Sequence, residues 1–170
     1  TFSQSGPWRP TVVALLAQTL GSTTVNYSFA PERPMATEVH ALFVAVGWST
    51  ESVRIIKQSL AAYPCKICAR DEEGSLVGYA SVFSDGVMTT MLGELIVHPQ
   101  HRRKGVGRGI MGQIERLYPD APISVKALGG SRLFYQSIGF KEPKAAMAVL
   151  FKRPQPEAHA SDNAAHIGGA

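Results

Sequence analysis

Apolar positions along the chain change from one period to another, and each change marks a boundary between elements. Val25-Asn26-Tyr27-Ser28-Phe29 reads as a first strand, broken by Pro31 and Pro34. From Ala36 to Val46, apolar residues at Val39, Leu42, Phe43 and Val46 recur at helical spacing, and Gly47 suits the C-terminal cap. A second helix, capped by Ser49 or Thr50, runs through Val53, Ile56 and Leu60 to Tyr63, where Pro64 stops it. Ile67 to Arg70 and Leu76 to Phe83 flank the turn Asp71-Glu72-Glu73-Gly74 and predict a hairpin. Met91 to Val97 predicts the next strand, and Gly105 to Leu117 a helix with Ile110, Met111 and Ile114 inward. Ile123 to Ala127 reads as a strand, Ser131 to Ile138 as a helix, and Met147 to Lys152 as a last strand. That order predicts a mixed α/β domain built on a central sheet.

A chain of 170 residues with 45% hydrophobic and 18% charged residues is expected to form one soluble domain with a full core. We place that domain at residues 25–153. Residues 154–170 offer almost no bulky apolar side chain and read as a flexible tail. Thr11 to Leu20 is apolar, yet Gln18 interrupts it and no basic cluster precedes it. Residues 1–24 therefore read as an extension with a short helix, the alternative being a remnant of an organelle-targeting segment. The sequence has no run of about 18 apolar residues, so no membrane span is expected. Cys65 and Cys68 form Cys-x-x-Cys, but no second Cys pair and no nearby His pair completes a zinc site. A strand turns the two side chains to opposite faces. Two unpaired thiols suit a reducing cytosol, the expected location, and no metal is expected.

The net charge is +4, and four of the seventeen basic residues crowd into Arg102, Arg103, Lys104 and Arg108. They surround Gly105-Val106-Gly107, where a strand hands over to a helix. Backbone N–H groups of such a loop converge on one concavity, and a helix N-terminus adds partial positive charge. The natural guest is a pyrophosphate. A Walker loop would need Gly-Lys-Ser/Thr after the second glycine, and Gly107 is followed by Arg108 and Gly109. The dinucleotide fingerprint fails on its third glycine spacing. Arg-x-x-Gly-x-Gly over Arg102 to Gly107, preceded by Val97-x-Pro99, resembles the pyrophosphate motif of the GNAT superfamily of acyl-CoA-dependent N-acetyltransferases. Downstream, Phe134-Tyr135-Gln136-Ser137-Ile138-Gly139-Phe140 resembles the family's Phe-Tyr-x-x-x-Gly-Phe signature, in the right order and at the right distance.

The resemblance implies a central mixed, mostly antiparallel sheet that splays between the strand ending at Val97 and the strand at Ile123–Ala127, flanked by helices. It also implies acetyl-CoA as cosubstrate and a primary amine of a small molecule or peptide as acceptor, joined by direct attack in a ternary complex. Arg102, Arg103, Lys104, Gly105, Val106, Gly107 and Arg108 would hold the pyrophosphate. Leu95, Ile96 and Val97 would pair with the pantetheine arm, and a bulge would free an N–H near Leu95 to polarise the thioester carbonyl. Tyr135 is the candidate proton donor to the departing thiolate, or a core aromatic beside Phe134 and Phe140. Glu94 is the candidate general base, or an ordinary strand acid; His98 and His40 are rivals by their pKa. Many relatives carry Asn where this chain has Leu128, so Gly129-Gly130-Ser131 would supply those cofactor contacts instead, Ser131 among them.

The first two helices and their link at Gly47-Trp48-Ser49-Thr50 would build the acceptor pocket. Trp48 lines it or staples the helices. Glu38, Glu51 and Glu94 would attract a cationic amine if they converge. A homodimer stays open. Two other classes compete: a catalytically silent acyl-CoA sensor of the same fold, and a nucleic-acid-binding module using the basic loop. The second is disfavoured, because the loop carries no interleaved aromatics.

Overall fold

A computed structural model of the chain describes residues 25–48 and 52–143. Two compact units meet in sequence at Arg132 and Leu133. In the first, five strands pair in chain order: β1 (Ser28–Pro31), β2 (Cys65–Arg70), β3 (Leu76–Ser84), β4 (Thr90–Val97) and β5 (Ile123–Val125). The first four are antiparallel, and β5 joins β4 in parallel. Helices α1 (Ala36–Ala45) and α2 (Val53–Ala62) connect β1 to β2, and α3 (Val106–Leu117) connects β4 to β5. This is the mixed, mostly antiparallel sheet flanked by helices that the sequence led us to expect. Strand β1 begins three residues late and takes in Pro31, paired with Ile67. It lies at a sheet edge, where a residue lacking N–H is tolerated. The N-cap of α2 is Ser52, whose hydroxyl accepts from the Ile55 amide at 3.4 Å. Ser49, Thr50, Glu51, the Thr11–Leu20 helix, the Met147–Lys152 strand and the 154–170 tail lie outside the described residues.

Strand register sorts the core into two layers. Cys68, Tyr79 and Ile96 lie in one row across β2, β3 and β4, and pack with Val39 and Leu42 of α1 and Ile56 and Leu60 of α2. The neighbouring row, Ala69, Gly78 and Val97, points to the opposite face. There α3 lies close on the sheet: a Cβ on Gly78 would sit 2.8 Å from Val106 Cγ1 and 2.9 Å from Ile110 Cδ1. Gly109 meets the Phe29 ring of β1 in the same way. The predicted inward residues Ile110, Met111 and Ile114 are all buried.

Polar groups finish the ends. Glu38 accepts from the Met35 amide at the start of α1 and also pairs with Arg70, which grips Glu32 too. The Arg70 guanidinium beside it holds the Glu38 carboxyl below its ordinary pKa. Glu38 therefore serves the fold, and it does not join Glu94 as part of an acceptor site. Buried Lys66 donates to the carbonyls of Leu60 and Tyr63, at 3.0 and 2.6 Å, and so caps the C-terminus of α2. Cys65 and Cys68 are free thiols; burial pushes the Cys68 thiol up to about 12, far from a reactive thiolate.

The second unit begins inside α4 (Arg132–Ser137). Gly139 adopts φ +97°, and the Phe140 amide donates back to the Tyr135 carbonyl at 3.1 Å. That left-handed turn, open to glycine at little cost, brings Phe140 back onto Tyr135. The buried Tyr135 ring meets Phe134 and Phe140 edge-on, at 5.1 and 5.5 Å.

Candidate active site

One extra residue in β4 decides where Glu94 points. Ala80 pairs with Leu95 and Val82 with Leu92, so Gly93 and Glu94 together face Ser81 alone. Such a bulge reverses the alternation of side chains beyond it. Leu92, opposite Val82, shares a face with Gly78, against which α3 packs. Glu94 and Ile96 instead turn to the face covered by α1 and α2, as Ile96 does in the core. The bulged Glu94 amide donates to Ser81 Oγ at 3.0 Å. Ser81 Oγ in turn donates to Glu94 Oε2, and Tyr63 Oη donates to Oε1 at 3.4 Å. Tyr63 is held by its tilted contact with Phe83, ring centroids 4.5 Å apart. Only a glycine fits beneath this cluster: a Cβ on Gly93 would lie 2.5 Å from both Ser81 Oγ and Tyr63 Oη. Burial is the main reason that the Tyr63 and Tyr79 hydroxyls stay neutral well above their ordinary range, with the Glu94 charge adding to it. The carboxylate is thus fixed by two hydroxyl donors, Ser81 and Tyr63.

Glu94 opens into a cavity of about 120 Å³ between α1, α2 and the sheet. Val39 and Phe43 of α1, Ile56 and Leu60 of α2, and Tyr79 of β3 line it. Exposed Ile55 and Ser59 form its rim. Trp48 does not line the cavity; it packs edge-on against Phe43 at 5.9 Å and holds that wall in place.

Beyond Leu92 the β4–β5 pairing ends. Among the described residues, β5 pairs with Thr90, Met91 and Leu92 alone, so β4 from Gly93 to Val97 has a partner there on one side only. The His98 amide donates to the Val77 carbonyl at 2.9 Å. By the alternation of an antiparallel ladder, Ile96 then bonds to Tyr79, while the polar groups of Leu95 and Val97 point to the open side. The Val97 carbonyl is met there by Arg102 Nε at 3.3 Å. Leu95 and Val97 thus present amides to the gap, whereas Ile96 contributes a buried side chain and a backbone turned to β3.

After β4, a short 3-10 turn at Pro99–His101 leads to Gly105 at φ +87° and then into α3. Arg103 is also left-handed, at φ +59°, the one such residue besides glycines among the described residues. Gly105 is the N-cap and has no side chain to offer, so the first-turn amides of Val106, Gly107 and Arg108 lack a capping partner. Arg102, Arg103, Lys104 and Arg108 are exposed around them. Ser131 spends its hydroxyl on the Leu128 carbonyl at 2.9 Å, closing the turn at Gly129–Ser131.

The histidine rivals are engaged elsewhere or lie off the cavity. His98 Nδ1 accepts from the Gln100 amide at 3.4 Å and caps the 3-10 turn. His40 lies on α1 but does not line the cavity. His101, unremarked in the sequence, bonds through Nδ1 to Tyr27 Oη at 3.0 Å, and burial lowers its pKa. Tyr63, Ser81 and Gly93 also escaped sequence reasoning. The signal available for them was a glycine inside a strand pattern beside an acid.

Comparison with known proteins agrees with this arrangement. Residues 64–142 match the acetyltransferase (GNAT) domain family. An uncharacterized N-acetyltransferase of Porphyra purpurea is 27% identical over 121 residues, 67% of this chain and 70% of its own length. A GNAT-family acetyltransferase of Streptococcus pneumoniae superposes with a TM-score of 0.65 at 21% identity, covering 76% of this chain and all of its own. AAC(6')-Iy, solved with the bisubstrate analogue CoA-S-monomethyl-acetylneamine, superposes with a TM-score of 0.60 at 14% identity, over 77% of this chain and 99% of its own. The open edge of β4, the uncapped glycine-led helix and these matches lead to one conclusion: residues 64–142 of the chain form an acetyltransferase (GNAT) domain.

Proposed function

We propose that this protein transfers the acetyl group of acetyl-CoA to a primary amine by direct attack in a ternary complex. The observation that carries the reading is that β4 gathers three features: it bears the Glu94 carboxylate at a cavity, its edge lies open beyond Leu92, and it leads into the uncapped amides of α3. The diphosphate of the cosubstrate fits the α3 end, where Arg102, Arg103, Lys104 and Arg108 supply charge and Gly105, Val106 and Gly107 supply amides. The pantetheine arm then runs along β4 as an added strand, bonding to Leu95 and Val97. The Leu95 amide is the donor assigned to the thioester oxygen, where negative charge develops as the amine attacks.

The amine must first lose a proton, and Glu94 takes it directly or through one water. Its hydrogen bonds from Ser81 and Tyr63 hold it oriented for that task. Amine nitrogen then bonds to the acetyl carbon, the tetrahedral centre collapses, and the C–S bond breaks. The thiolate leaves with a proton that we assign to Tyr135. Burial raises the pKa of that phenol, so it is protonated across the neutral range and has a proton to give. The CoA-based analogue bound by AAC(6')-Iy supports the choice of cosubstrate.

A thiol-release assay on the full chain with acetyl-CoA and a primary amine tests this reading. Glu94→Gln is expected to lower kcat/KM by roughly 100-fold, with partial recovery at high pH where the free amine is abundant. Equal activity of Glu94→Gln and the parent at pH 7 would remove Glu94 from the reaction.

A further inference from the structure

We propose that the acceptor is a monoamine carrying one compact apolar group, of branched-alkyl or benzyl size. This rests on the reading of Glu94 as the group that receives the amine's proton, and it adds which amines qualify.

The cavity beside Glu94 measures about 120 Å³. An apolar cavity of about 150 Å³ takes up benzene, so this space, open at its rim, suits a group of about four to seven carbons. Its walls are hydrocarbon from Val39, Phe43, Ile56 and Leu60, plus the ring of Tyr79. Among the described residues that line it, Glu94 is the sole charged one. One carboxylate at the end of an apolar slot recognises one cation joined to one hydrocarbon group. A polyamine or an aminosugar would carry a second ammonium or several hydroxyls onto those walls. Each polar group buried there without a partner costs roughly tenfold or more in binding. Among the described residues, Glu32 and Glu38 offer no second cation site, because both grip Arg70. The chemistry is unchanged: the N–C bond forms, the C–S bond breaks, one proton leaves the amine through Glu94 and one reaches the thiolate.

Two measurements on the full chain separate this proposal from the acyl-CoA reading. Calorimetry with CoA alone tests the acyl-CoA reading. Saturation-transfer NMR with 3-methylbutylamine, benzylamine, methylamine and spermidine, each without and with CoA, tests the cavity. Both apolar amines should bind saturably, and methylamine and spermidine at least tenfold more weakly, since each buried methylene is worth about fourfold. In the acetylation assay, kcat/KM should follow the same order, with 3-methylbutylamine roughly 100-fold above methylamine. Phe43→Ala removes a half-buried wall ring and should shift preference about tenfold from 3-methylbutylamine toward the bulkier 2-phenylethylamine. Spermidine or glucosamine outperforming benzylamine would overturn the proposal, as would an unchanged preference in Phe43→Ala. Absence of saturable binding by both apolar amines, with and without CoA, would overturn it too, whatever CoA itself does.

Discussion

Replacing Gly93 by alanine puts a methyl group where the structure has no room. The new carbon would lie 2.5 Å from Ser81 Oγ and from Tyr63 Oη, and 3.0 Å from Tyr63 Cε1. Ser81 is fully buried, and Tyr63 is braced by Phe83. Relief comes by rotating the serine hydroxyl and lifting the tyrosine, which breaks the bonds to the Glu94 amide and carboxylate. Overpacking of this kind costs about 1–3 kcal/mol, and leaving the bulge amide without an acceptor falls in the same range. We therefore expect Gly93→Ala to lose roughly 2–3 kcal/mol. For a domain of this length that is a fall in Tm of roughly 4–10 °C. The assay is urea unfolding of four proteins: the parent, Gly93→Ala, Ser81→Ala and the double variant. Ser81→Ala removes one of the two oxygens that the methyl group strikes and leaves Tyr63, so the cost of Gly93→Ala should shrink by about 1 kcal/mol in that background. Equal costs in both backgrounds, or a loss below about 0.5 kcal/mol, would refute the crowding argument.

Gly107→Trp should abolish CoA binding in calorimetry while leaving Tm within about 2 °C, because the residue sits at the half-buried start of α3. Tyr135→Phe should lower kcat roughly 10- to 100-fold and leave CoA affinity nearly unchanged; normal turnover across pH would end its assignment as proton donor. Glu38→Gln should destabilise the fold by about 1 kcal/mol at pH 7, a modest value for a pair whose side chains keep some exposure to water. Glu38's folded pKa is depressed, so its contribution is present above the ordinary carboxylate range and is lost as pH falls through the folded value. The difference between the parent and Glu38→Gln should accordingly vanish in acid, as read by chemical denaturation from pH 7 to pH 3.

Much of the fold was legible because its signals are local. Helical spacing in Val39, Leu42 and Phe43, and again in Ile110, Met111 and Ile114, located α1 and α3, and the glycine-rich basic loop marked the candidate diphosphate site. Misses came where local signals compete or where partners are distant in sequence. Ser52, not Ser49 or Thr50, caps α2, because several hydroxyls compete for one cap and only the packed helix selects among them. Glu38 looked available to an amine until Arg70, 32 residues away, claimed it. Glu94 stood out as an acid on the right strand, yet its direction depends on a bulge that Gly93 permits and Ser81 satisfies from β3. The cavity walls read simply as core, since an apolar residue beside a void carries the same pattern as one without.

In the proposed complex the diphosphate of acetyl-CoA docks on the first-turn amides of α3 while its arm lies along β4. Amide-resolved NMR with CoA added reads this docking residue by residue. The largest shifts, and slowed hydrogen exchange, are expected at Gly105, Val106, Gly107, Arg108 and Leu95, with Ile96 little affected. Saturable CoA binding that leaves those amides unmoved while others respond would contradict it.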